Sequence, residues 1–317
     1  MAIFLNESDI GKLASMNMAL EAIEESLALH GEQKADNAPR RRCRIEKGFL
    51  HVMSASIPSL GYAGLKSYTS AGTEIRFLVH LYNANDGGLL AIMEADLLGQ
   101  IRTGAASGVA TKYMARKDAS RVGIFGTGLQ ARTQLEAVCA VRPVKTIVAF
   151  GRDSQRCEDF CGHMTGVLGM GVHPVSSAEE AVKDMDIVIT ATTSKTPVFQ
   201  GAWLAKGTHI NAVGANFIAR QEIDVETVRR SACVIVDSIE QAMLESGDLA
   251  KAAEEDAFYW EDARELGTVV TGEFPGREDD SEITLFKSNG IALWDVALAA
   301  KIYEAAVKAG MGKKLPF

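Results

Sequence analysis

No apolar run in this 317-residue chain approaches the roughly 18 residues that a bilayer-spanning helix needs, so no membrane partner is expected. The N-terminus has no basic segment followed by an apolar one, and no secretory leader is expected. Cysteine is scarce and odd in number: Cys43, Cys139, Cys157, Cys161 and Cys233 suit reduced thiols in a cytoplasmic protein better than a disulfide framework. Cys157 and Cys161 stand four apart with only His163 nearby, and no further Cys/His pair completes a zinc set, so no metal is expected. Positive charge is also in deficit. A formal net charge of −8 leaves no broad basic face and argues against nucleic acid as a partner. Repeats and low-complexity tracts are missing as well. With 47% hydrophobic residues the chain can bury a sizeable core, and its length allows two domains.

What is there centres on Arg121 to Arg132, R-V-G-I-F-G-T-G-L-Q-A-R. A short apolar run, Val122 to Phe125, feeds Gly126-Thr127-Gly128, and helical spacing follows through Leu135 and Val138. A strand, a Gly-x-Gly turn and a helix make the phosphate-binding turn of a dinucleotide fold. The first glycine permits the turn, and the second lets backbone approach a pyrophosphate. Ala131 at the third position is small enough for close helix–strand packing. The anion would meet the free N–H groups and the dipole of the helix N-terminus.

Before this turn, residues 6–30 read as one helix, with Ile10, Leu13, Met16, Leu20, Ile23 and Leu27 at helical spacing. Short strands follow at Arg42–Ile45, Phe49–Ala55, Tyr62–Tyr68, Phe77–Asn83 and Leu89–Met93, then an Ala-rich helix from about Leu97 to Arg116. After Gly128, strands are expected at Thr146–Phe150, Val172–Pro174, Ile187–Ala191, His209–Val213 and Cys233–Val236, with helices at Gln155–Leu168 and Ala178–Asp184 among them. Such alternation implies a parallel sheet covered on both faces. Thr271–Ser281, rich in Gly and charge, is expected to be a loop over a cleft. A long amphipathic helix, Ile291 to Ala309, should pack back on the first domain.

Six motifs in order carry a resemblance over nearly the whole chain: Pro39-x-Arg41, Gly64-Leu-Lys66, Arg102-Thr-Gly-Ala-Ala-Ser107, Gly126-Thr-Gly-Leu129-Gln130, Val213-Gly-Ala-Asn216 and Phe286-Lys287-Ser288-Asn-Gly-Ile-Ala292. The chain resembles the ornithine cyclodeaminase/mu-crystallin family. The resemblance implies an α/β protein: a Rossmann doubly wound parallel sheet over residues 117–290, plus an α+β substrate-binding and dimerisation domain over 1–116 completed by 291–317. It implies a homodimer, an active site in the cleft between the domains, and hydride transfer at an amino-acid or imino-acid carbon. Fold is implied more firmly than reaction, since members include cyclodeaminases, alanine dehydrogenases, ketimine and iminosuccinate reductases and a lens protein that binds hormone.

By this resemblance Lys66 contacts the substrate and supplies a proton, a task that burial suits by lowering a lysine's pKa. Arg102 offers a fork that clamps an α-carboxylate, and Thr103 beside it reaches a cofactor phosphate. In Arg40-Arg41-Arg42, Arg42 and Arg44 share one strand face and Arg41 takes the other. Arg41 matches the family's carboxylate-binding arginine, with Arg44 as the substitute. Two positions depart from the cyclodeaminase pattern. His51 stands where those enzymes hold ornithine's ammonium with a carboxylate, and Asn216 stands where they have an aspartate able to accept a proton. A pocket of Arg41, His51, Lys66 and Arg102 would be electropositive and suit a dicarboxylate.

For the cofactor, Gly151 takes the place of the acidic residue that binds NAD ribose, and Arg152 with Arg156 suits NADP, while Asp153 pulls back toward NAD. NAD(H) and NADP(H) both stay open. Thr192 and Val213 line the cofactor cleft by the family match, and Lys287 and Ser288 lie near the nicotinamide. The resulting expectation is an NAD(P)H-dependent reductase of a small imino acid. Iminosuccinate to L-aspartate is its best specific form, with Lys66, Arg102 and Asn216 as the catalytic set. Its alternatives are an ornithine cyclodeaminase or alanine dehydrogenase, and a silent mu-crystallin-like binding protein.

Overall fold

The computed structural model describes residues 1–71 and 75–316. The chain divides into two compact units, one formed by Met1–Ala106 with Ile291–Phe317 and the other by Ser107–Gly290. The division falls inside a helix, ten residues before the boundary expected from the sequence. There the helical run continues unbroken while its neighbours change.

The first unit begins with β1 (Ile3–Leu5), α1 (Glu7–Leu13) and α2 (Met16–Gly31). One helix was expected over residues 6–30. It is broken because Ser15 takes an extended conformation and its side chain accepts from the N–H of Met18, opening a new N-terminus. A meander follows: β2 (Asp36–Ile45), β3 (Gly48–Ile57), β4 (Tyr62–Thr69), β5 (Phe77–Asn83) and β6 (Leu89–Glu94). Alternation sends Met53, Ala55, Ile57, Val79, Leu81, Ala91 and Met93 to a buried face. α3 (Asp96–Met114) carries the chain on into the second unit.

That unit is an eight-stranded, wholly parallel sheet. It is built from β7 (Arg121–Phe125), β8 (Thr146–Phe150), β9 (Val172–Pro174), β10 (Ile187–Thr190), β11 (His209–Ala212), β12 (Ser231–Val236), β13 (Arg264–Glu265) and β14 (Ile283–Lys287). Its helices are α4 (Leu129–Val141), α5 (Ser154–Leu168), α6 (Val225–Arg230), α7 (Ile239–Glu245), α8 (Gly247–Glu254) and α9 (Leu266–Val270). Ala178–Asp184, expected as a helix, forms turns ending at Asp184 with φ of 60°. The strand order 13-12-14-11-10-7-8-9 puts the reversal at β7, between β8 and β10. In open parallel sheets ligands bind beyond the carboxyl ends of the strands at such a reversal. Thr271–Ser281 lies at the other end of the sheet: Arg277 donates to the carbonyls of Met114 (2.7 Å), Glu282 (2.6 Å) and Gly207 (3.2 Å), which precede β7, β14 and β11.

The chain returns to the first unit with α10 (Ala292–Ala309) and β15 (Lys313–Lys314). These complete a sheet of order 15-1-6-5-4-3-2, and α10 packs on its buried face. Trp294, Val296, Leu298 and Ile302 are fully buried, and a Cβ at Gly64 would stand 3.0 Å from Val296.

In the second unit, β7 passes so close to Ala181 that a Cβ on Gly123 would lie 1.8 Å from its carbonyl oxygen. Gly123→Ala is therefore expected to lower unfolding free energy by about 1–3 kcal/mol in a denaturant titration, through backbone displacement.

Candidate active site

In the first unit, charge is concentrated on the buried sheet face. Lys66 on β4 is 3% exposed, yet it carries an ammonium. Its Nζ donates to Asp295 Oδ1 at 2.9 Å and lies 4.8 Å from the centre of the Phe77 ring. Room for it exists because α3 presents Gly99, where a Cβ would be 3.0 Å from Nζ. Arg102, one turn further along α3 and 6% exposed, donates from Nε to the same oxygen at 3.1 Å. Its Nη1 is buried without a hydrogen-bond partner among the described residues, and its guanidinium lies 5.6 Å from the Trp294 ring centre. Burial pulls the Lys66 pKa down, Asp295 pushes it back up and Arg102 lowers it again, leaving it at about 8.

The arginine run resolves differently from the expectation. Ala38 pairs with Ser54 and Arg41 with Val52, so Pro39 and Arg40 together face Met53 in a bulge. A regular ladder from Ala38 would have set Arg41 opposite His51. The extra residue moves Arg42 there and turns Arg41 to the other, exposed side. Arg40 is the buried arginine, 6% exposed, with Nε 3.3 Å from Met53 Sδ. Arg44 shares the face of His51 but is exposed.

His51 lies on the same face as Lys66, 7% exposed, stacked on Tyr68 at 4.2 Å and hydrogen-bonded through Nε2 to Ser70 Oγ at 2.9 Å. Burial, then Arg42 and Arg40, lower its pKa to about 4, so it is neutral at pH 7 and adds no positive charge. Tyr68 continues against Phe77 at 4.7 Å, giving a wall of three rings beside Lys66. Thr103 donates its hydroxyl to Gly99 O at 2.7 Å within α3.

In the second unit, a cavity of about 290 Å³ opens beyond the carboxyl ends of β7, β8 and β10, lined by Gly126, Thr127, Gly128, Gly151, Arg152 and Thr192 among others. Gly126 has φ of 101°, and a Cβ there would lie 2.4 Å from Ala191 O, so only glycine fits. Around Gly128 the space is open, and α4 starts there without any side-chain cap. Leu129 and Gln130 in its first turn are exposed. Uncapped N–H groups beside empty space fit a pyrophosphate. Asp153 caps α5 by accepting from the N–H of Arg156 at 3.0 Å, while Arg152 and Arg156 line the cavity.

The loops around this cavity hang on a carboxylate that sequence reasoning missed. Glu222, fully buried, accepts from the N–H groups of Thr192 (2.6 Å), Gly214 (2.6 Å) and Ala215 (3.0 Å). Burial raises its pKa and Lys287 opposes the rise. Asp248 accepts from the N–H groups of Glu222 and Ile223 and pairs with Lys287 at 3.0 Å. Lys287, expected near the nicotinamide, is thus sealed in the interior and donates to Ala215 O at 2.6 Å. Ser288 is also buried, with Oγ 3.3 Å from Asp237 Oδ2. Lys287 ends β14 and Ser288 follows it, and each is tied to a buried carboxylate, Asp248 and Asp237 respectively. Val213 and Asn216 lie, half-buried, on the loop after β11 that Glu222 and Lys287 pin. Among the described residues, no group of three or more His, Cys, Asp or Glu is arranged to hold a metal ion.

The glycine turn at the reversal of a parallel sheet fits a dinucleotide, and the relatives of this chain make its class a nicotinamide-dinucleotide oxidoreductase acting on carbon–nitrogen bonds. The chain belongs to the ornithine cyclodeaminase/mu-crystallin family, whose family model matches residues 1–310. It is similar to Δ1-pyrroline-2-carboxylate reductase of Thermococcus litoralis, solved with NADH and L-proline, at 37% identity and TM-score 0.94 over 99% of this chain and 100% of that one. An archaeal alanine dehydrogenase, a dimer with bound NAD, gives 35% and 0.93 over 100% and 99%. The iminosuccinate reductase of Paracoccus denitrificans, solved with NAD+, gives 26% and 0.93, again over 100% and 99%.

Two outcomes follow from the second unit. Glu222→Ala leaves three N–H groups without an acceptor, at about 1–3 kcal/mol each, and is expected to lower the midpoint of thermal unfolding and to weaken NADH binding followed by nucleotide fluorescence. Arg152→Ala is expected to lower the NADPH-to-NADH affinity ratio about three- to tenfold in the same assay.

Proposed function

We propose that this protein reduces a small α-imino acid to the L-amino acid with NADH or NADPH, and that its substrate is a cyclic monocarboxylate imine of the Δ1-pyrroline-2-carboxylate kind. The observation that carries this reading is the buried set Lys66, Asp295 and Arg102, with one guanidinium nitrogen unpaired. A substrate carboxylate satisfies Arg102 Nη1. The reduced nicotinamide, when bound, supplies the hydride that the imine carbon accepts. Lys66, charged below a pKa of about 8, gives a proton to the imine nitrogen. Asn216 serves as an orienting amide, since it cannot act as a base. The ring wall of His51, Tyr68 and Phe77 supports an apolar ring substrate, as does the similarity to an enzyme solved with L-proline. Neutral His51 weakens the dicarboxylate reading. Iminosuccinate stays the second reading, favoured by Arg40 and Arg42 on the same face.

A homodimer is part of the proposal. The other face of the first unit's sheet carries Val52, Leu65, Leu78 and Ile92, which one chain leaves only half-buried, and the similar alanine dehydrogenase is a dimer.

Nucleotide oxidation followed with Δ1-pyrroline-2-carboxylate, and in parallel with oxaloacetate plus ammonia, decides the substrate. Proline as the faster product supports the first reading; aspartate as the faster product moves the assignment to iminosuccinate; ornithine turnover without either removes both. Because the donor form is the protonated one, kcat/KM for reduction should be flat below about pH 8 and fall tenfold per pH unit above it. Lys66→Met is expected to lower kcat by about 10²–10⁴-fold with nucleotide affinity unchanged.

A further inference from the structure

Asp295 belongs to none of the sequence motifs' assigned roles, yet among the described residues it is the carboxylate that pairs with both Lys66 and Arg102. It is fully buried, in the first turn of α10, where the helix dipole favours an anion. The start of that helix is held by the side chain of Asn37, which accepts from the N–H of Leu293 at 3.1 Å. One oxygen, Oδ1, accepts from both Lys66 Nζ and Arg102 Nε, while Oδ2 is buried without a hydrogen-bond partner among the described residues.

We propose that Asp295 is the positioning residue of this site: its Oδ1 ties the Lys66 ammonium and the Arg102 guanidinium to one point and holds Arg102 with Nη1 directed away from the ion pair for a carboxylate. The proposal rests on the reductase reading for its catalytic meaning and on the hydrogen bonds of Asp295 Oδ1 for its geometry.

The groups around Lys66 show why one anion decides its state. From α3 comes the cation Arg102, and from β2 the cation Arg40; both disfavour a charged lysine. β5 contributes the uncharged Phe77 ring, and His51 on β3 is neutral at pH 7. Asp295 on α10 is the group that favours the ammonium, by its charge and by its hydrogen bond. Burial alone would drive the proton off. Without the carboxylate, Lys66 would give up its proton more readily and Arg102 would lose the acceptor of its Nε.

The test uses the full-length protein without nucleotide or substrate. Lysine labelled with 13C at Cε is titrated by NMR, and the Lys66 resonance is identified by its loss in Lys66→Met. In Asp295→Asn the Lys66 midpoint should fall by about one pH unit or more from its wild-type value, and the upper limb of the kcat/KM profile for imine reduction should move down by the same amount. Asp295→Glu, which keeps the charge, should hold the midpoint within about half a unit. A folded Asp295→Asn, judged by circular dichroism, with an unmoved Lys66 midpoint overturns the proposal. Should that variant not fold, Arg102→Gln supplies the opposite displacement: removing a cation that shares Oδ1 should raise the Lys66 midpoint, and an unmoved midpoint overturns the proposal equally. If the midpoint moves in Asp295→Asn while the kinetic limb stays, Asp295 still governs Lys66, and it is the assignment of Lys66 as proton donor that fails.

Discussion

A carboxylate removed from water must be answered by cations, and a buried ammonium must be answered by an anion. In the first unit both requirements are met at Asp295 Oδ1. Three elements distant in sequence, β4, α3 and α10, are brought to one point by it. Glycines at the closest approaches make that possible. Gly99 leaves room for the ammonium, and Gly64 lets α10 lie down on the sheet. Such a cluster contributes little net stability compared with apolar packing of the same volume. Its value is chemical: a lysine poised near neutral pH beside an arginine with donor capacity to spare.

The second unit applies the same rule to backbone rather than to ligand groups. The parallel strands end in loops whose N–H groups would be stranded near the cavity. Glu222 collects three of them, and Asp248 and Lys287 support Glu222 from beneath. In the glycine turn after β7, Gly126 N–H donates to Phe150 O at 3.1 Å, and α4 then starts at Gly128 without a side-chain cap, so its first-turn N–H groups are left open. The two loop types differ in the way expected of scaffold and ligand surface: one satisfied internally, the other left unsatisfied for an anion.

Substrate choice rests on smaller features. A single bulged residue in β2 decides which arginine is buried, exchanging Arg41 for Arg40. Burial decides that His51 is an uncharged ring rather than a cation, and its stacking on Tyr68 makes it part of an aromatic wall. Both effects make the buried face less evenly electropositive and more aromatic, which is what the proposed ring monocarboxylate requires.

The sequence alone was enough for the architecture and for the dinucleotide turn. Alternating apolar patterns and a Gly-x-Gly after a strand are local signals, and their meaning does not depend on distant residues. Lys66 and Arg102 were legible through the motifs that carry them. Four things were not. Ser15 breaks the first helix through a cap that competes with an otherwise continuous apolar period. Arg41 and Arg40 change places because a bulge shifts parity by one, which no side-chain pattern announces. Lys287 and Ser288 are held by Asp248 and Asp237, carboxylates that the sequence places far from them. Asp295 and Glu222 are single acidic residues without a distinctive neighbourhood in the chain. Their importance arises only when folding places Asp295 against Lys66 and Arg102 and gathers the N–H groups of Thr192, Gly214 and Ala215 on Glu222, where exclusion of water makes the pairing obligatory.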